Sequence, residues 1–121
     1  MFSCQSQQEK IHELILSANE KIYVSDFEGA VEDLEACLKI DKNNPQVYFM
    51  IGNIYTTQRK YDEALEKYNT AIELNKSFAE AYANRGKVWF YLGNKDKRCE
   101  DYLKAESLGM PNLEDVTKFC K

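Results

Sequence analysis

Histidine, proline, glycine and blocks of basic charge are what this chain has least of. His12 is the single histidine among 121 residues. That removes most schemes in which an imidazole activates a serine or cysteine, while leaving carboxylate chemistry open. The four cysteines, Cys4, Cys37, Cys99 and Cys120, include no Cys-x-x-Cys pair. The ligand spacing of a zinc site is therefore missing, and no metal or cofactor is expected. Lys and Arg total 16 against 20 Asp and Glu, and no basic block stands apart from acidic residues, so the electrostatic footprint of a nucleic-acid binder is absent. No apolar run approaches the roughly 20 residues of a membrane span, and no complete signal peptide is visible. With 2 Pro and 5 Gly, little of the chain is built for turns.

What remains is 44% hydrophobic and 30% charged, with 8 Tyr, a composition suited to packed helices in one domain. One stretch organises it: Tyr48-Phe49-Met50-Ile51-Gly52-Asn53-Ile54-Tyr55, followed by Tyr61-Asp62-Glu63-Ala64-Leu65-Glu66-Lys67-Tyr68-Asn69-Thr70-Ala71. Thirty-four residues later the types return, with Tyr82 for Tyr48, Gly86 for Gly52, Trp89 for Tyr55, Tyr102 for Tyr68 and Ala105 for Ala71. A period of this length in these residue types resembles the tetratricopeptide repeat, a helix–turn–helix unit. The resemblance covers about residues 11–112. It implies an all-α solenoid of three hairpins, at 11–44, 45–78 and 79–112, with a short C-terminal capping helix over 113–121.

Helical spacing supports the same division. Ile11, Leu14, Ile15, Ala18 and Ile22 predict an amphipathic helix from about Gln7 to Tyr23, with a polar N-terminal tail over 1–10 running into it. Ser25-Asp26 is an N-cap signal for a second helix from about Phe27 to Ile40. Pro45 suits the first position of a third, and Leu108-Gly109 the end of a sixth. The small positions Ala18, Ala30 and Cys37, then Gly52, Ala64 and Ala71, then Gly86 and Ala105, are where helices must cross closely. A glycine in mid-helix costs roughly 0.5–1 kcal/mol against alanine, which is tolerable where its missing side chain admits a large ring. Enlarging Gly52 or Gly86 to leucine should overpack the crossing by about 1–3 kcal/mol. Cys37 reads as a small core filler.

The third repeat departs from the pattern. Arg85 stands where a leucine is usual, and Arg98 where alanine is. Asn84-Arg85-Gly86 with Glu100-Asp101-Tyr102-Leu103-Lys104-Ala105 resembles a common repeat variant, which implies a structural Arg85–Asp101 ion pair. Arg98 has no such account beyond a stem long enough to reach past the crossing. The segment from Cys99 to Phe119-Cys120 is similar to the C-terminal ends of small bacterial envelope repeat proteins. That implies a Cys99–Cys120 disulfide, the alternative being two half-buried thiols. Leu113, Val116, Phe119 and Cys120 share one helical face, the face a cap would turn to the last hairpin.

By the same resemblance, ligands would lie on the concave face made by the first helix of each repeat. His12, Ile15, Asn19 and Tyr23 take the inward positions of the first repeat. Gln46, Phe49, Asn53 and Thr56 take those of the second, and Glu80, Ala83, Lys87, Phe90 and Tyr91 those of the third, with Asn84 at the edge. Asn side chains offer a donor and an acceptor to a peptide backbone, the rings offer apolar anchorage, and Lys87 offers a partner to a carboxylate. Chaperone-tail binders of the family grip a carboxylate with Lys, Arg and Asn. Those positions here hold Ile15, Met50, Glu80 and Asn84, and Asn19 alone matches, which argues against that specialisation. The expectation is a non-enzymatic interaction module with a protein or peptide partner, a monomer by slight preference.

Met1-Phe2-Ser3-Cys4-Gln5 resembles the end of a bacterial lipoprotein signal. That would make Cys4 an acylation site and the chain a membrane-tethered envelope assembly protein; the alternative is a polar tail with a thiol. A three-repeat secretion chaperone is the third reading. Envelope and cytoplasm both stay open.

Overall fold

Three- and four-residue apolar spacing produces helices throughout. The computed structural model describes the backbone of residues 4–121 and the side chains of residues 6–121; Cys4 as a lipidation site lies outside the described side chains. Seven helices and no strand occur among the described residues: α1 (Cys4–Tyr23), α2 (Phe27–Ile40), α3 (Pro45–Thr57), α4 (Tyr61–Leu74), α5 (Ala79–Tyr91), α6 (Lys95–Ser107) and α7 (Glu114–Thr117). The pairs α1/α2, α3/α4 and α5/α6 form hairpins, and each hairpin packs on the next through α2/α3 and α4/α5.

Local chemistry sets the boundaries. The Asp26 side chain accepts from the Gly29 amide, Asn44 from Gln46 and Val47, and Asn94 from Lys97, each satisfying donors that a helix start leaves open. Inside every hairpin the turn needs a left-handed residue, at Ser25 (φ 63°), Arg59 (φ 62°) and Gly93 (φ 78°), spaced by the same thirty-four residues. Only the third is a residue without a Cβ to strain. Between hairpins the repetition is equally close. The Tyr48 hydroxyl donates to the Lys42 carbonyl at 3.0 Å and the Tyr82 hydroxyl to that of Lys76 at 3.2 Å.

The core is continuous from the first hairpin into the second. Ile11, Ala18, Ala30, Leu34, Cys37, Val47, Ile51 and Ile54 are all buried in one cluster. Ala64, Tyr68 and Val88 continue it, as do Ala71, Ile72, Phe78 and Ala81. Tyr68 lies against Gly52 so closely that a Cβ there would meet its ring at 2.6 Å. The corresponding Cβ at Gly86 would meet the Tyr102 ring at 3.2 Å.

One position differs between hairpins in an ordered way. Ser17, Ile51 and Arg85 are related by the repeat period, and so are Asp33, Lys67 and Asp101. In the first hairpin the Ser17 hydroxyl donates to Asp33 at 2.7 Å, and Lys21 reaches the same carboxylate at 2.9 Å. In the second, Ile51 is fully buried and Lys67 instead lies over the Tyr48 ring. In the third, Arg85 grips Asp101 with two bonds, Nε to Oδ2 at 2.8 Å and Nη2 to Oδ1 at 2.7 Å. Its Nη1 reaches Asn69 on α4 at 2.8 Å, joining three helices.

Two segments depart from the sequence reading. The first helix, expected from about Gln7, starts already at Cys4, since Gln, Glu and Lys are good helix formers without apolar support. The expected cap over 113–121 shrinks to the single turn of α7. Its apolar face turns inward only in part, with Leu113 and Cys120 half-buried. Thr117 is the buried residue, while Phe119 is 69% exposed and Val116 also stands in solvent. Polar and covalent ties hold this segment instead. Thr117 donates to Glu106 Oε2 at 2.9 Å, Lys121 pairs with Glu106 Oε1 at 3.1 Å, and the Cys99–Cys120 disulfide joins Cα atoms 5.4 Å apart.

Candidate functional site

The first helices of the second and third hairpins, α3 and α5, touch directly, and the site is built along that contact. Asn53 accepts twice at Oδ1, from the Tyr68 hydroxyl at 2.6 Å and from Asn84 Nδ2 at 2.8 Å. The Thr56 hydroxyl donates to the Gly52 carbonyl at 2.9 Å and lies 3.1 Å from the Tyr68 hydroxyl. Burial pushes the Tyr68 phenol up to about 12, so it stays a neutral donor at any ordinary pH. The bonds fix the amide of Asn53 with its oxygen turned to protein, leaving its Nδ2 for solvent or ligand.

Beside this floor runs an aromatic shelf. The Tyr61 and Tyr91 rings stack at 5.3 Å, and Phe90 meets Tyr91 edge-on at 5.7 Å. Three openings meet here. A cavity of about 190 Å³ is lined by Asn53, Thr56, Thr57, Tyr68, Asn84 and Lys87. One of about 530 Å³ is lined by Thr56, Thr57, Arg59, Tyr61, Lys87 and Tyr91. A third, of about 460 Å³, opens toward the C-terminus between Lys87, Phe90, Tyr91, Arg98, Tyr102, Asp115, Val116 and Phe119. Lys87 borders all three and is exposed. The ion pairs of the described side chains engage Lys21, Arg85, Lys118 and Lys121, and none engages Lys87, Arg59 or Arg98.

The structure gathers only part of the expected set. Asn53, Thr56, Asn84, Lys87, Phe90 and Tyr91 converge. Asn19 and Tyr23 line none of these cavities, and Tyr23 stands 90% exposed at the end of α1. Ile15 and Phe49 are not free anchors. Ile15 packs on the first core cluster, and the Phe49 ring sits 4.8 Å from Phe78 and 6.1 Å from Tyr68. Ala83 is likewise buried. These residues are drawn into the packing between helices, so position on the inner helix does not by itself expose a side chain.

Thr57, Arg59, Tyr61, Tyr102, Asp115, Val116 and Phe119 line the site without having been marked by their sequence. A signal existed for Arg59 alone, since it occupies the turn position where the next repeat has Gly93. Arg98 finds its place here: its guanidinium lies over the Phe90 ring at 5.6 Å, outside the crossing. Among the described residues, no group of three or more His, Cys, Asp and Glu is arranged to hold a metal ion. Among the described residues, no helix is long and apolar enough to cross a membrane.

Two repeat-family models match the chain, one described as TPR repeat over residues 52–93 and one as tetratricopeptide repeat over residues 34–66. Residues 34–93 are thus matched as tetratricopeptide repeats. Solved repeat structures share its fold. The first TPR of Spaghetti (RPAP3), bound to the HSP90 peptide SRMEEVD, superposes with a TM-score of 0.84 at 22% identity, over 92% of this chain and 90% of that one. The second TPR domain of human RPAP3, in complex with the HSP70 peptide SGPTIEEVD, gives 0.82 at 23% identity, over 94% and 95%. MamA gives 0.75 at 24% identity, and this chain covers 82% of itself but 58% of MamA. At these identities the likeness speaks for the repeat fold, and the α3/α4 hairpin is where both family models overlap, over residues 52–66.

Proposed function

We propose that the repeats form a non-enzymatic interaction module that binds an extended protein segment along α3 and α5. The observation that carries this reading is Lys87, a cation with no acidic partner among the described side chains, bordering three confluent openings beside the fixed amides of Asn53 and Asn84. A neutral amide pair suits a peptide backbone, and an unpaired ammonium suits a carboxylate at one point along it. Repeat domains of the same fold hold peptides in the RPAP3 structures, which supports a peptide as the occupant. The occupant here differs from those chaperone tails, because Ile15, Glu80 and Asn84 supply no cation, and Met50 no amide, where the family's clamp has them. The test is a random peptide-display selection against the folded chain. Selected peptides should bind at least about tenfold more weakly to a Thr57→Arg variant, whose long side chain obstructs the groove from an exposed position. Peptides that ignore that substitution, or a selection yielding none, would remove the reading.

The disulfide supports an oxidising compartment, which favours the envelope over the cytoplasm. The tethered form of that reading depends on Cys4. Intact mass of the protein from its native host decides it: acyl groups on Cys4 support a tether, and an unmodified Cys4 removes it.

A further inference from the structure

The opening of about 460 Å³ toward the C-terminus is walled on three sides by different elements. Phe90 and Tyr91 come from α5, Arg98 and Tyr102 from α6, and Val116 and Phe119 from the terminal segment. That last wall does not stand by apolar packing, since Val116 and Phe119 are exposed. It is held from behind, by Thr117 and Lys121 on the two oxygens of Glu106 and by the Cys99–Cys120 bridge. A chain that merely needed to cover its last hairpin would turn these two apolar side chains inward. Here they are presented outward, on a covalently fixed segment, opposite an aromatic pair.

The charge around the opening runs against that of the whole molecule. The chain carries a net charge of -4, yet Lys87 and Arg98 line the opening, neither in an ion pair among the described residues, with Lys118 over the Phe119 ring at 5.1 Å. The one carboxylate on the wall, Asp115, is 98% exposed and faces Lys118 at 3.8 Å. Two cations therefore flank an apolar floor, and the wall's one carboxylate pairs with Lys118 rather than with either of them. The size suits one or two large side chains rather than a whole folded surface.

We propose that this cleft is a recognition site for a protein segment carrying an aromatic side chain flanked by carboxylates, with the ring seated between Phe90 and Phe119 and the carboxylates on Lys87 and Arg98. The proposal rests on the peptide-binding reading above, because Lys87 serves both the groove and the cleft. It adds a second pocket, at the C-terminal end of the groove, with its own specificity and with one wall dependent on the disulfide. Apolar contact supplies the anchor, and the cations select acidic neighbours over basic ones.

The test uses the isotope-labelled, oxidised full chain titrated with N-acetyl-Asp-Phe-Asp-amide, followed by amide chemical shifts. Shifts are expected in residues 87–91, 98–102 and 115–119, with N-acetyl-Lys-Phe-Lys-amide binding at least about tenfold more weakly. Arg98→Glu should weaken the acidic probe about tenfold, and Phe119→Ala about fivefold. Both positions lie off the hairpin crossings, so the shifts of residues 47–72 verify that each variant is folded. Dithiothreitol, which converts the bridge to two thiols while itself becoming a cyclic disulfide, should weaken the probe about threefold or more as the wall loosens. Equal affinity for the acidic and basic probes overturns the proposal, as does insensitivity to Phe119→Ala. Shifts confined to Asn53, Thr56 and Asn84 overturn the cleft while leaving the groove reading intact. Loss of both this probe and the display-selected peptides removes the two readings together. Concentration-dependent shifts of the same residues without any peptide overturn the proposal in favour of a second copy of the chain.

Discussion

The second and third hairpins follow one pattern with opposite chemistry at the crossing. In the second, Tyr68 is wholly buried against Gly52, Ile51 fills the place beside it, and Ala64 and Ala71 complete an apolar seam. In the third, Tyr102 is only half-buried, the place of Ile51 is taken by Arg85, and the seam is closed by its bidentate grip on Asp101. Only Asp101 and Ala105 are buried on α6, against four residues on α4. The third hairpin thus has less apolar area to bury, and it adds what the second does without: an ion pair, a bond from Arg85 to Asn69 and a disulfide. Apolar packing tolerates no intruding atom, whereas an ion pair tolerates space but not the loss of one partner.

The largest effect should come from removing one partner of the third hairpin's pair. Asp101→Ala leaves Arg85 charged, largely buried and held only by Asn69 and the face of the Tyr82 ring, a loss of about 3–5 kcal/mol in urea unfolding. The double change Arg85→Ile with Asp101→Lys writes the second hairpin's residues into the third and should recover more than half of that loss. Recovery of less would mean that the two chemistries are not interchangeable on this backbone.

Next in size is the contrast between the two glycines. Gly52→Ala pushes a methyl group to 2.6 Å from the Tyr68 ring, which is buried and tied through its hydroxyl to Asn53, and should cost about 2–3 kcal/mol. Gly86→Ala meets Tyr102 at 3.2 Å. That half-exposed ring can yield, and the helix gains roughly 0.5–1 kcal/mol from losing a glycine, so the net change should stay within about 1 kcal/mol. Equal losses at the two sites would contradict the difference drawn between them.

A smaller effect should appear in alkali. Burial holds the Tyr68 phenol neutral up to about 12, while an unfolded tyrosine ionises at its ordinary value of 10.0. Between those values the unfolded chain binds fewer protons than the folded one, so stability is intact below 10 and falls as pH rises toward 12, by about 2 kcal/mol. Tyr68→Phe should flatten that part of the profile relative to the parent, and parallel profiles would refute the assignment.

The smallest effect lies in the terminal segment. The Thr117 bond, and after it Lys121, hold the Glu106 carboxyl below its usual range. Its contribution is present above the unfolded value and is lost as acid protonates it in the folded state. Amide exchange in residues 113–121 should then quicken at low pH while residues 47–72 stay protected. Unchanged exchange in that segment would show that the disulfide alone holds it.

The repeat was legible because its determinants are periodic. Gly52 with Tyr68 and Gly86 with Tyr102 stand sixteen residues apart in each hairpin, and such pairs can be counted along a sequence. Arg85 and Asp101 have the same separation and could be read from the residue types of a repeat variant. The site was half legible. Asn53, Thr56, Asn84 and Lys87 lie on the inner helices where the period puts them, but Phe49 and Ile15 share that position and are drawn into the core by neighbouring rings and aliphatic side chains. Arg98 resisted reading because its contact, Phe90, belongs to another helix and to no repeating spacing.

By itself, then, the sequence determined the helices, their caps, the register of the hairpins and the need for small residues at Gly52 and Ala64, because each rests on contacts at a fixed separation along the chain. Tertiary structure alone decided that Thr117 rather than Phe119 turns inward, that α1 continues to Cys4, and that Lys87 borders three openings at once. Those outcomes depend on how separate elements meet, where a carboxylate such as Glu106 can outweigh an apolar stripe, and no local pattern records that competition.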